Sequence, residues 1–226
     1  MGLEQRYVDN FADAIPLEFA PEESEASIGQ LSAAVKRAID LTAAAILLLI
    51  LWPILLLTAI LIRLDSIGPV FFRQTRLGLR GRPFHILKFR TMSVLEDGGH
   101  IVQATHNDPR ITRVGRILRK ISIDELPQLI NVLRGEMSLV GPRPHARAHD
   151  EYYAQRIANY TLRQQAKPGI TGWAQINGFR GETPTVHSMR KRILCDIWYV
   201  RNFSLLLDLK ILLLTPVELL RQRNAH

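Results

Sequence analysis

The strongest constraint on this chain is an apolar run from Leu41 to Ile62, 22 consecutive residues without a charge. As a straight α-helix it measures about 33 Å, enough to cross a hydrocarbon core of roughly 30 Å. A buried helix of a soluble core is the competing reading, and so long a stretch without charge argues against it. Pro53 sits near the middle and removes the amide that would serve the Leu49 carbonyl. Bases flank both ends: Lys36 and Arg37 before, Arg63, Arg73 and Arg76 after. Basic flanks mark the cytoplasmic side. Both ends are then expected there, and a helix broken at Pro53 enters and leaves by one face. The reading is a re-entrant membrane helix over residues 31–62 and a single further domain over 63–226.

Charge is unevenly spread. Of the net charge of +8, residues 1–30 carry −6 and the remainder +14. So basic a body calls for a polyanionic partner: nucleic acid, an anionic membrane surface or a phosphorylated ligand. Aromatic residues do not interleave with the bases as nucleic-acid stacking platforms require, so nucleic acid is not expected. Cys195 is the single cysteine, which excludes an intrachain disulfide framework and points to a reducing compartment. Residues 1–30 lack a basic n-region and a small-residue cleavage site, and read as an acidic, mobile leader rather than a signal peptide.

The stretch Ser122–Pro144, SIDELPQLINVLRGEMSLVGPRP, carries the chemistry. Leu126, Leu129, Ile130 and Leu133 share one helical face, and Gly135 is a helix stop with Arg134 in the last turn. With Asp124 as N-cap, Pro127 falls at N3, where its missing amide costs no helical bond. The pair Asp124–Glu125 then has two readings. Either it caps the helix and complements the dipole, or it acts on a phosphate held at the helix N-terminus. Pro142 and Pro144 restrict Arg143 from both sides, leaving a pre-aimed guanidinium fork suited to phosphate.

Around this stretch, Val70–Phe72 and Phe84–Phe89 read as short strands separated by Gly78 and Gly81, studded with bases. Glu96–Asn107 reads as a loop. Ile111, Val114, Ile117, Leu118 and Ile121 make the apolar face of a basic helix. His145 and His149, at i and i+4, have a spacing that suits a metal or simply a polar helix face. Lys167–Gly178 reads as a tight loop and then a strand. Tyr199–Leu220, interrupted by Asp208, Lys210 and Pro216, reads as an interfacial or a core helix.

SIDELPQLINVLRGEMSLVGPRP closely resembles the (S/D)xDELPQ…NVL(K/R)GxMSxVGPRP pattern of the bacterial sugar transferases, the monotopic phosphoglycosyl transferases that load a phosphosugar onto a polyprenyl phosphate. The resemblance runs from Lys36 to Leu214 and includes KFRTM (Lys88–Met92) and PGITGWAQ (Pro168–Gln175). It implies an α/β, mostly helical, membrane-associated domain with a re-entrant broken helix and interfacial amphipathic helices, on the cytoplasmic face of the bacterial inner membrane. A KRxxD motif, here Lys36, Arg37 and Asp40, opens the helix. Many members carry Ser before the proline; this chain has Trp52 before Pro53, and an indole cannot accept the hydrogen bonds a hydroxyl can.

The resemblance further implies Mg²⁺-dependent, two-step transfer with Asp124 as nucleophile and Glu125 as metal ligand or proton-transfer group. Both carboxylates are implied metal ligands. Lys88, Arg90, Arg119, Pro142, Arg143, Pro144, Gly169 and Gln175 are the implied substrate contacts. The substrates are a UDP-sugar and undecaprenyl phosphate, with self-association left open. HNDPRIT and GFRGET place the chain nearest the branch that transfers glucose 1-phosphate, the first membrane step of exopolysaccharide or capsule synthesis. Galactose 1-phosphate transfer and a non-catalytic basic membrane adaptor are the alternatives.

Overall fold

A computed structural model of the chain describes residues 30–93, 108–181, 183 and 185–221. Residues 1–29 of the acidic leader and the loop expected over Glu96–Asn107 fall outside the described residues.

The apolar run is the centre of a longer helix, α1 (Gln30–Asp65), 36 residues with Pro53 inside it. The expected interruption at Pro53 is absent: the helix continues through it. Trp52 is 57% exposed rather than buried, so its indole meets the surroundings of the helix and is not asked to serve freed carbonyls. Asp40, Ala44, Thr58 and Ile62 are buried on one stripe, with Leu48, Leu55 and Ala59 packed against the core beside them. Leu49, Ile50, Leu56, Leu57, Ile60 and Leu61 remain exposed. An apolar surface of that size left in water would be costly, as expected of a helix that meets a membrane. It is also the one described helix long and apolar enough to cross a membrane.

Two short sheets carry the loops that matter. Strands β1 (Phe71–Leu77) and β2 (Pro83–Phe89) form an antiparallel hairpin with Phe71 opposite Phe89 and Leu77 opposite Pro83. Phe84 and Ile86 alternate into the main core while Phe89 packs with Ile62 and Leu118 in another. Strand β3 (Ser138–Val140) runs parallel to β4 (Gly169–Thr171). The strand expected after the tight loop is therefore β4 itself, and the residues that follow form a short helix, α5 (Trp173–Ile176).

Helix α2 (Arg113–Ile121) is capped by Thr112, whose side chain accepts from the Gly115 amide. Its apolar residues do not form one buried face: Leu118 is buried, but Ile117 and Ile121 are 62% and 53% exposed. Gly115 is obligatory here, because a Cβ would overlap the Thr91 backbone. The next helix, α3 (Gln128–Arg134), ends at Gly135 with φ 82°, as expected. Helices α4 (Arg147–Ala154), α6 (Val186–Arg201) and α7 (Leu205–Arg221) complete the described body. Helix α6 starts with a Thr185–Ser188 capping box and is largely buried. Helix α7 buries Asp208 and Ile211 and exposes Leu206, Leu209, Leu213 and Val217.

Both ends of α1 are fastened to this one body. Lys36 pairs with Asp208 at 2.5 Å and donates to the Val140 carbonyl at 3.2 Å. Arg37 donates to the Val132 and Leu133 carbonyls at 2.6 and 2.9 Å, serving the open C-terminal end of α3. Asp40 accepts from the Ser138 hydroxyl and the Leu139 amide at 3.1 and 3.0 Å. At the far end, Asp65 accepts from the Val114 amide at 3.1 Å. Lys36 and Arg37 are thus latches between helix and body, and their charges are spent there rather than on the membrane surface.

Candidate active site

The carboxylate pair sits between two helices, in neither of them. Ser122 ends α2 in a left-handed conformation, φ 59°, and turns the chain into a 3₁₀ turn, Ile123–Glu125. A left-handed serine is uncommon; here it swings Asp124 and Glu125 toward the hairpin. Asp124 is therefore not the N-cap of α3. Pro127 occupies that position with no side-chain cap, and the capping reading of Asp124 is set aside on this geometry.

Glu125 is buried and fully engaged. Its Oε1 accepts from Lys88 Nζ at 3.0 Å and from Arg143 NH2 at 2.6 Å, and its Oε2 accepts from Arg143 NH1 at 3.2 Å. Burial alone would raise its pKa; the charges of Arg143 and Lys88 and the Arg143 hydrogen bonds outweigh that and hold it well below the usual range. Asp124, next door and partly exposed, goes the other way. Burial first, and then the charge of Glu125, push it up to about 6, against the pull of Lys88, Arg119 and Arg143. The two adjacent carboxylates are thus split: Glu125 is lowered and paired, Asp124 raised to about 6. Burial lowers the Lys88 pKa despite Glu125 beside it, and Glu125 raises that of Arg143.

Of the residues expected to bind substrate, Lys88, Arg119 and Arg143 converge on the pair. Lys88 reaches it from the end of β2. Arg119 reaches it from the last turn of α2, with its NH1 3.8 Å from Met92 Sδ. Arg143 reaches it from the loop after β3. Pro142 and Pro144 are both buried on either side of Arg143.

Arg90 does not converge. It is 2% exposed and donates to the Ile67 and Ser66 carbonyls at 2.5 and 2.7 Å, satisfying the turn after α1. Its guanidinium lies where a Cβ at Gly68, φ 133°, would fall. Gly169 and Gln175 stand behind the arginine loop. The Gly169 amide donates to the Pro142 carbonyl at 2.9 Å, and its missing Cβ lets it close on the Gly141 backbone. Gln175 donates to the Ile170 carbonyl at 3.0 Å, leaving its buried Oε1 without a described partner. Their visible contribution is to hold the loop rather than to face the carboxylates.

One contributor was not singled out from the sequence. Arg180, in the loop after α5, donates to the Ser122 hydroxyl, and its charge acts on both Asp124 and Glu125. The site thus has four cations around two carboxylates. That surplus of positive charge suits a diphosphate. His145, considered as a metal ligand, is buried with its Nδ1 2.7 Å from the Tyr160 hydroxyl, and His149 lies edge-on to Tyr153.

Among the described residues no group of three His, Cys, Asp or Glu could cage a metal. Asp124 and Glu125 nevertheless fit Mg²⁺ in its usual mode, one or two carboxylates with the remaining ligands from substrate phosphate and water. The protein hydrogen bonds at the pair go to Glu125, so Asp124 is the oxygen donor left for such an ion.

Residues 31–222 match the family model described as bacterial sugar transferase. The chain is 59% identical over 191 residues to a UDP-glucose:undecaprenyl-phosphate glucose-1-phosphate transferase of Caulobacter vibrioides, covering 84% of this chain and 72% of that protein. It is 55% identical to a protein of the same description from Escherichia coli (strain K12), covering 80% of this chain and 39% of the relative. A third, from Xanthomonas campestris pv. campestris, is 54% identical, covering 83% of this chain and 39% of the relative. The chain therefore spans well under half the length of the last two.

Proposed function

Since the chain belongs to the bacterial sugar transferase family, we propose that it transfers glucose 1-phosphate from UDP-glucose to undecaprenyl phosphate, giving undecaprenyl diphosphate glucose and UMP. The activity of these relatives supports the substrates. The observation that carries the chemistry is the split pair, Asp124 near neutrality beside a Glu125 locked by Lys88 and Arg143.

The reaction runs in two displacements at one phosphorus. Ionised Asp124 attacks the glucose-bearing phosphorus of UDP-glucose, a bond forms between its carboxylate oxygen and that phosphorus, and the bridging P–O bond to UMP breaks. UMP leaves with the electron pair of that bond. An oxygen of undecaprenyl phosphate then attacks the same phosphorus and the bond to Asp124 breaks, restoring the carboxylate. An anionic nucleophile meeting an anionic diphosphate needs fixed positive charge. Lys88, Arg119, Arg143 and Arg180 supply it in place before the reaction begins. Glu125 neutralises and orients Lys88 and Arg143 between turnovers. When bound, Mg²⁺, held by Asp124 and the substrate phosphates with Glu125 close by, would neutralise further charge on the leaving UMP.

The membrane arrangement follows from the same contacts. Asp40 and Asp65, near the two ends of α1, both bond to the body that holds the site. A straight crossing would carry two points 25 residues apart to opposite sides of a core roughly 30 Å thick. We therefore place both ends on the cytoplasmic face, with α1 lying in that leaflet. The exposed leucines of α7 and Ile117 and Ile121 of α2 would rest in the same interface. This puts the carboxylate pair at the level where a polyprenyl phosphate presents its headgroup.

The test is UMP release by the purified chain in lipid, with undecaprenyl phosphate, Mg²⁺ and a panel of UDP-sugars. UDP-glucose is expected to turn over fastest. Faster UDP-galactose turnover would correct the sugar. No UMP from any UDP-sugar would overturn the enzyme reading and leave a basic membrane adaptor. Single cysteines introduced at residues 33 and 67 should both react with an impermeant thiol reagent from the same side of a sealed vesicle; opposite sides would rule out the topology.

A further inference from the structure

Behind the site lies a buried ion pair that touches neither carboxylate. Arg163, in the 3₁₀ turn Tyr160–Gln165, donates its Nε and NH2 to Asp196 Oδ2 on α6 at 3.0 and 2.8 Å. The two residues are 4% and 1% exposed. The same NH2 group donates to the backbone carbonyl of Arg143. Arg163 NH1 lies 3.7 Å from Asp150 Oδ1, which accepts from the Tyr160 hydroxyl at 2.6 Å.

Stability alone is a poor reason for this pair, because a buried ion pair is matched or bettered by well-packed apolar side chains. Its position gives a better one. Pro144 has no amide hydrogen, so the peptide after Arg143 can be held only through the Arg143 carbonyl. The Pro142 carbonyl accepts from the Gly169 amide at 2.9 Å, and the Arg143 carbonyl accepts from Arg163. Two segments remote in sequence thereby fix both flanks of one residue. That residue makes the two-pronged contact with Glu125. A planar guanidinium can hold Asp196 and a carbonyl in fixed directions at once; an ammonium cannot reproduce that fork.

We infer that Arg163, clamped by Asp196, is a positioning residue that sets the backbone of Arg143 and through it the aim of the Arg143 guanidinium at Glu125 and the substrate diphosphate. The inference rests on the reading of Arg143 as a diphosphate ligand. A misplacement of about 1 Å at such a site costs on the order of 100-fold in rate, which sets the scale of the effect.

The experiment is a double-mutant cycle on the full chain in lipid, with UMP release from UDP-glucose to undecaprenyl phosphate read as kcat and KM separately, and thermal unfolding alongside. The variants are Arg163→Lys, Asp196→Asn, Arg143→Ala and each of the first two combined with the third. Arg163→Lys is expected to unfold near the wild-type temperature, to raise KM for UDP-glucose and to lower kcat/KM by about 100-fold. Asp196→Asn should lose less, in the same direction. In the Arg143→Ala background both further losses should vanish, since there is no longer a guanidinium to aim. Additive losses, near-wild-type kcat/KM in Arg163→Lys, or a fall in kcat alone at unchanged KM would overturn the inference. If Arg163→Lys does not fold, the Asp196→Asn cycle decides on the same criteria; if neither folds, the pair holds the fold and the inference falls. Wild-type kcat/KM in Arg143→Ala would instead strike down the diphosphate reading on which it rests.

Discussion

Asp124→Asn should make the protein more stable and inactive at the same time. Burial, and then the neighbouring Glu125, raise the Asp124 carboxyl from 3.8 to about 6 in the folded chain. The folded state therefore holds this proton more tightly than the unfolded state. Stability falls as pH rises through the window from 3.8 to about 6, and the full cost stands above it. Two pH units correspond to about 3 kcal/mol. Asparagine keeps the shape and carries no charge, so it relieves that cost at pH 7.5. For a domain of this size 1 kcal/mol moves Tm by roughly 2–4 °C, which puts the expected gain at about 6–12 °C. The assay is thermal unfolding in lipid nanodiscs, followed by tryptophan fluorescence, at pH 7.5 and again near pH 4. The gain should be large at pH 7.5 and mostly gone near pH 4, where folded Asp124 is protonated and the unfolded carboxyl, with its value of 3.8, is already partly so. An Asp124→Asn protein less stable than wild type at pH 7.5, or a gain that ignores pH, would refute the reasoning and return Asp124 to a structural post.

Three further outcomes are expected. With Asp124 titrating at about 6, kcat/KM should rise about tenfold between pH 5 and pH 7 and then level; a profile flat over that range would mean an ordinary aspartate. Glu125→Gln removes the like charge beside Asp124 and frees Lys88 and Arg143, so the acid limb should shift to lower pH even as the rate falls; a shift upward contradicts the electrostatic account. Gly169→Ala places a Cβ on the Gly141 backbone, and should cost about 1–3 kcal/mol of stability and lower kcat/KM by disturbing the arginine loop; an unchanged Tm would show that the close approach is dispensable.

How much of this could be read from the sequence depends on distance along the chain. Lys88, the carboxylate pair and Arg143 carry their identity in local motifs, and the helix stop at Gly135 follows from one residue's φ. Arg180 falls within GFRGET, but nothing in that motif points it at the carboxylate pair. It lies 55 residues beyond Glu125, and only the tertiary path brings it to Ser122. Arg90 misleads for the opposite reason: it sits in the same motif as Lys88, yet the open carbonyls after α1 claim it. Lys36 and Arg37 read naturally as membrane-flanking charge, but Asp208 lies 172 residues from Lys36, and no local pattern announces that pairing. The capping reading of Asp124 failed because a left-handed Ser122 inserts a 3₁₀ turn ahead of α3, which hydrophobic periodicity does not reveal. Likewise, periodicity identified the apolar residues of α2, but whether Ile117 and Ile121 face protein or lipid depends on what surrounds the helix.

The central claim is that the Asp124 carboxylate carries the phosphosugar between the two displacements. It is tested most directly by intact-protein mass spectrometry of the chain mixed with UDP-glucose and Mg²⁺ without lipid acceptor. Wild type should gain the mass of one hexose phosphate, release UMP in an amount limited to about one per chain, and return to its starting mass when undecaprenyl phosphate is added. Asp124→Asn should gain nothing. Wild-type turnover with no adduct at any time, or the same adduct on Asp124→Asn, would contradict the account.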